Sequence, residues 1–185
     1  AIADMWSQNE ETLFLGPWCL RQENRCRWQS MHYTIMQSPW DTPGRVDTAV
    51  GYLEETYERI LHHLTEYLND VHMESHSVRF WRIILGTWLY HYLHSLYDRF
   101  IHLDHALAKY PHLETISLDP KSFHTPFDSS NFMNLVIKDF YNLQLYSQLL
   151  LAMGHQFPTQ ELGPGQDWPP NSNQYGRSNW ENLKR

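Results

Sequence analysis

Cysteine is nearly absent: Cys19 and Cys26 are the only two in 185 residues. Two thiols make no disulfide framework, and they fit a reducing, cytoplasmic setting. Basic charge is also short. The net charge is -7 with neutral histidines, which argues against general binding to nucleic acid or an anionic membrane, since both need a basic surface. Ala1–Glu11 has no basic start and no apolar core, so no signal peptide is expected there. The most apolar stretch, Phe80–Leu93, is interrupted by Arg82 and His91 and is too short to span a bilayer. There is no G-x-G-x-x-G, no Walker pattern and no H-E-x-x-H. A Ser-His-Asp constellation cannot be drawn without inventing geometry. No metal and no cofactor are expected.

What is present is aromatic. The chain carries 8 Trp, 11 Tyr and 8 Phe, enough for a sizeable core and too many for a disordered chain. The densest part is His76–Arg99. Val78, Trp81, Leu85, Leu89, Tyr92 and Leu96 recur at helical spacing and continue to Leu107, which predicts one helix running to about Tyr110. Phe80, Ile83, Ile84, Trp88, Tyr90, Leu93 and Tyr97 fill its other sides, so its first four turns are expected to be buried nearly all round. Ser75 or Ser77 is the expected N-cap.

Arg79 and Arg82 sit in the first turns of that helix, on one face with Gly86. Cations there oppose the helix dipole, so something negative is expected beside them. A carboxylate of this chain would make a structural salt bridge. A ligand anion would make a binding site, with Gly86 giving close approach.

Around this helix the chain reads in order. Thr12-Leu-Phe-Leu-Gly16 is a buried strand followed by the Gly16-Pro17-Trp18-Cys19 loop, at the strand end where open α/β sheets bind ligands. Cys19 reads as an inert thiol rather than a nucleophile. Arg21–Asp41 reads as an irregular connection with a short strand at His32–Met36, and Arg21, Arg25 and Arg27 as solvated arginines. Val46–His72 is a strong amphipathic helix, broken at Met73–His76, that should pack antiparallel to its successor. Leu113–Leu118 alternates as a strand. Asp128–Asn131 caps a third helix, Phe132–Met153, which Gly154 ends. Asp139, Asn142 and Tyr146 share one side of it, as polar surface or a site wall. His94, Asp98, His102 and His105 line one face of the central helix. A hydrated polar face is the reading there, not a metal site.

Several of these stretches together carry a resemblance. They are Phe14-Leu-Gly-Pro-Trp-Cys19, Leu53…Tyr57-Glu58…Leu61, Leu68-Asn69…His72, Ser77-Val-Arg-Phe-Trp-Arg-Ile-Ile-Leu-Gly-Thr-Trp-Leu89, Asp98-Arg99 and Asp139–Gln148. From about Thr12 to Met153 the chain resembles the amino-terminal part of a transferase family of surface-polysaccharide (O-antigen) biosynthesis loci. Where that family is expected to have Gly-Pro-Trp, this chain has Gly86-Thr87-Trp88. The resemblance implies a glycosyltransferase-like enzyme whose members are longer than this chain. A C-terminal half bearing the nucleotide-sugar site would then be missing here. It carries over no catalytic residue.

The expected fold is therefore α/β and helix-dominated, with a small parallel Rossmann-like sheet and long packed helices. Residues 1–153 are expected to form one domain, with 154–185 an irregular Gly/Pro/Asn-rich segment. The expected function is transfer from an activated sugar or other phosphate-bearing small molecule. Arg79, Arg82 and Gly86 would hold the anion, and Gly16 and Trp18 would shape the cleft floor. The alternative is a non-catalytic helical interaction or acceptor-binding module. Arginines paired with internal carboxylates would favour it.

Overall fold

The computed structural model describes residues 9–161. The expected signal-free start at Ala1–Glu11 and the irregular segment 154–185 thus lie largely outside the described residues. These described residues fall into two compact units. One is built from the chain up to Ile35 and from Pro111 on, the other from Met36–Tyr110.

The second unit is a hairpin of two long helices, α2 (Arg45–His72) and α3 (Val78–Lys109). A short helix in the other unit precedes them and is α1 (Arg25–Trp28). The periodic stripes predicted both long helices to within a residue or so at each end. Leu53, Leu61, Trp81, Leu89 and Leu93 form the buried seam, with Tyr57, Leu64, Leu85 and Trp88 packed around it. Each such side chain stabilises by roughly 1.5–3 kcal/mol when fully buried. Ser77 is the N-cap of α3, accepting a hydrogen bond from the Phe80 N–H.

The turn between the helices is fixed by one side chain. The Asn69 amide donates to the His76 carbonyl (2.8 Å) and accepts from the His76 N–H (3.0 Å) and the Trp81 indole (2.9 Å). Met73 takes the left-handed conformation (φ 54°) that lets the chain reverse there.

The expectation that α3 is buried nearly all round is corrected. Ile83 is 76% exposed, Ile84 52%, Tyr90 49% and Phe80 38%. Only α2 packs against these first turns within the unit, so one side is buried and the opposite side is open. Further along, a strap at Pro39–Asp41 covers α3. Trp40 donates its indole N–H to Asp98 (2.8 Å) and meets the ring of the buried His102.

The first unit carries all the strands among the described residues. β1 (Thr12–Phe14) pairs in parallel with β2 (Tyr33–Ile35), and β3 (Ser117–Leu118) with β4 (Thr159–Gln160). The α/β, helix-dominated expectation therefore stands, with two separate parallel pairs instead of one Rossmann-like sheet among the described residues. β3 is shorter than the alternation over Leu113–Leu118 predicts. It exists only where β4 supplies partners: Ser117 N–H donates to the Pro158 carbonyl and Asp119 N–H to the Gln160 carbonyl.

The single third helix expected over Phe132–Met153 is two: α4 (Ser129–Leu135) and α5 (Asp139–Ala152). The break has a cause. Asn142 donates to the Val136 and Lys138 carbonyls, and Arg21 to the Ile137 carbonyl, satisfying backbone groups that a continuous helix would have used itself. Asp128 caps α4 through the Asn131 N–H. Gly154 (φ 84°) ends α5 in a Schellman arrangement, with His155 N–H donating to the Leu150 carbonyl.

Candidate functional site

Of the expected site residues, Gly16 and Trp18 belong to the first unit and Arg79, Arg82 and Gly86 to the second. Each group has its own geometry.

Gly16 follows β1 closely. A Cβ placed there would lie 2.2 Å from the Trp18 ring, so the missing side chain is what lets the indole fold back over the backbone. Trp18 remains 51% exposed. Beside it, burial pushes the Cys19 thiol above its ordinary range. Backbone hydrogen bonds at Gly16 and Leu15 and the Arg21 guanidinium pull the other way. A thiol held protonated is a poor nucleophile, which agrees with the inert reading.

Arg21 is not a solvated loop arginine. It pairs with Asp139 at 2.7 Å in the first turn of α5 and reaches the Ile137 carbonyl at 3.2 Å. Asp139 and Asn142 are thereby occupied in building the α4–α5 junction rather than lining an open wall. Nothing local in the sequence signals a pairing between residues so far apart.

On α3, Arg82 donates to Glu58 of α2 from both terminal guanidinium nitrogens, Nη2 to Oε2 at 2.7 Å. The hydrogen bond from Arg82 holds the Glu58 carboxyl below its usual range, and the same bond raises the guanidinium. Arg82 also lies over the Tyr57 ring at 5.8 Å. Gly86 completes this corner, since a Cβ there would stand 2.6 Å from the Tyr57 hydroxyl. Both residues of the pair are about half open, so it contributes roughly 0–1 kcal/mol of stability. Arg79, three residues earlier, is exposed. Among the described residues no carboxylate pairs with it.

The histidine face of α3 is used internally. His94 Nδ1 lies 2.8 Å from the Tyr90 carbonyl and His102 Nδ1 2.7 Å from the Asp98 carbonyl, with the Asp98 carboxylate taken by Trp40. Among the described residues no group of three or more His, Cys, Asp or Glu is placed to hold a metal ion. Nor is any described helix long and apolar enough to cross a membrane.

A family model described as the LIC12162 family transferase matches residues 1–183. No curated protein and no solved structure matches the chain.

Proposed function

The chain belongs to the LIC12162 family of transferases, and from that premise we propose that it serves glycosyl transfer from an activated, phosphate-bearing sugar in surface-polysaccharide synthesis. The observation that carries the site is Arg79. It is an exposed guanidinium in the first turn of α3, without a carboxylate partner among the described residues. Arg82 beside it is held ready in a bidentate fork by Glu58. Transfer from an activated sugar builds negative charge on the leaving phosphate, and fixed guanidiniums stabilise that charge. Gly16 and Trp18 enter the reading separately: the half-open indole offers a flat face to a sugar or base ring. The resemblance to longer transferases supports a further part of the same protein as the partner that completes catalysis. The two free thiols support a cytoplasmic setting.

One observation favours the second reading, a helical acceptor-binding or interaction module. Arg82 already has an internal carboxylate, so its charge is answered without a ligand.

Thermal unfolding with and without nucleotide sugars, nucleotides and pyrophosphate tests the choice. A ligand at a hundred times its dissociation constant adds about 2.7 kcal/mol to the folded state. The expected result is a midpoint raised by a phosphate-bearing ligand, with the rise lost in Arg79→Ala and reduced in Arg82→Ala. A midpoint indifferent to every ligand, with transfer by the longer protein unchanged in Arg79→Ala, would discard the anion site and leave the module.

A further inference from the structure

The Arg21 and Arg82 ion pairs are built differently. Arg21 also donates to the Ile137 carbonyl, so its pair with Asp139 closes the α4–α5 junction. The Arg82 pair joins two side chains and, among the described residues, no backbone. It is open to solvent, with 42% of the Arg82 side chain and 48% of the Glu58 side chain exposed. Its two partners are not held alike. Arg82 has a second support: the guanidinium lies over the Tyr57 ring at 5.8 Å. Tyr57 is itself seated, its hydroxyl filling the space that Gly86 leaves. Among the described residues Glu58 has no comparable support. Besides Arg82, its carboxyl is drawn by the charge of His62, one turn further along α2. The guanidinium therefore keeps its place when the carboxylate leaves, and the carboxylate has a second cation to turn toward. The charges are also unequal in number. Arg79 lies three residues before Arg82 on the same face, exposed and with no carboxylate partner among the described residues. One carboxylate answers one of two guanidiniums.

We propose that Glu58 stands on Arg82 in the place of a substrate phosphate, and that the ligand which displaces it is a diphosphate ester bridging Arg79 and Arg82. This rests on the anion site proposed above and names the class of ligand it takes. A phosphate offers a guanidinium the same two-oxygen edge as a carboxylate, so it fits the fork that Glu58 occupies. A sugar carboxylate would only exchange one carboxylate for another. It would do so against a competitor tethered beside Arg82 at an effective concentration of about a millimolar. A diphosphate adds a pairing with Arg79 that Glu58 does not make. Glu58 is then a specificity-determining residue, because it raises the threshold for every anion and a doubly paired one passes it. The internal pair that answers Arg82 at rest is, in this device, what makes the site selective.

The test is calorimetric titration of the chain with inorganic pyrophosphate, orthophosphate and glucuronate at fixed ionic strength. Pyrophosphate should bind about tenfold or more tightly than the other two, by its second charge-assisted pairing. Glu58→Gln should tighten pyrophosphate about five- to tenfold, since an exposed pair is worth up to about fivefold and its repulsion of the ligand adds to that. The same variant should let glucuronate bind. Glu54→Gln removes an equal charge one turn away on α2 and should tighten pyrophosphate only about twofold. Helical circular dichroism should be unchanged in both variants, because both positions are exposed. A tightening as large from Glu54→Gln would overturn the displacement. So would pyrophosphate binding that Glu58→Gln weakens or leaves unchanged while Arg82→Ala abolishes it; the anion site would then stand without its competitor. Pyrophosphate binding indifferent to Arg79→Ala and Arg82→Ala, or absent from both the unsubstituted chain and Glu58→Gln, would remove the anion site and the displacement together.

Discussion

The two units of this protein are held together in different ways. The hairpin of α2 and α3 is one continuous stretch of chain, and its seam is Leu, Trp and Tyr at helical spacing. The other unit joins two stretches separated by the whole hairpin. Its strands are two or three residues long; Arg21 links the two stretches through the Ile137 carbonyl and Asp139, and within the second stretch side chains bond to backbone. Ser147 accepts from the Leu118 N–H, and Gln144 both accepts from the His124 N–H (2.7 Å) and donates to its carbonyl (3.0 Å). Packing alone positions a long helix, because many contacts share the load. A two-residue strand has no such redundancy, so single polar side chains carry it.

That difference is breakable at chosen residues. The largest effect is expected in the hairpin seam: Trp81→Ala should cost about 3–5 kcal/mol in urea unfolding, by loss of buried area and of the bond to Asn69. Next, in the composite unit, Gln144→Leu keeps the volume and removes both of its bonds to the buried His124 backbone. A loss of about 2–4 kcal/mol is expected. A larger loss from Gln144→Leu than from Trp81→Ala would reverse the contrast between the units.

A finer cut concerns Gly86. Alanine favours a helix interior over glycine by about 1 kcal/mol, but its Cβ would strike the Tyr57 hydroxyl. Gly86→Ala alone should be near neutral, and in a Tyr57→Phe background it should stabilise by about 1 kcal/mol. A stabilisation of the same size with Tyr57 present would mean the hydroxyl is no obstacle.

The smallest effect is a pH dependence in the composite unit. Burial holds the His124 imidazole below the ordinary histidine range, against a hydrogen bond with Asn131 that raises it. The unfolded chain therefore binds this proton more readily. The contribution is complete above about pH 6.5 and is lost as pH falls from there through the lowered folded value. His124→Gln should flatten the stability profile below about pH 6.5. A variant profile as steep as the original would move the effect to another group.

The residues that carry the family resemblance include several that meet in the hairpin. Tyr57 faces Gly86, Glu58 holds Arg82, and Asn69 binds His76 and Trp81. The charge problem at Arg82 was legible in the sequence, since a cation at a helix start calls for an anion. That Glu58 answers it was not, because the register between two helices depends on how their ridges seat.

The two long helices, the Ser77, Asp128 and Gly154 caps and the transferase resemblance can all be read from the residues alone. Periodicity and capping act within a few residues, so a short window contains them. The break between α4 and α5 at Val136–Lys138, the two-residue length of β3 and the open side of α3 came only with the folded chain. Each depends on a partner distant in the chain: Arg21 for the break, β4 for the strand, and for α3 the absence of a second neighbour within its unit. A local pattern says which surface wants burial. What meets that surface is settled by chain folding back from far away.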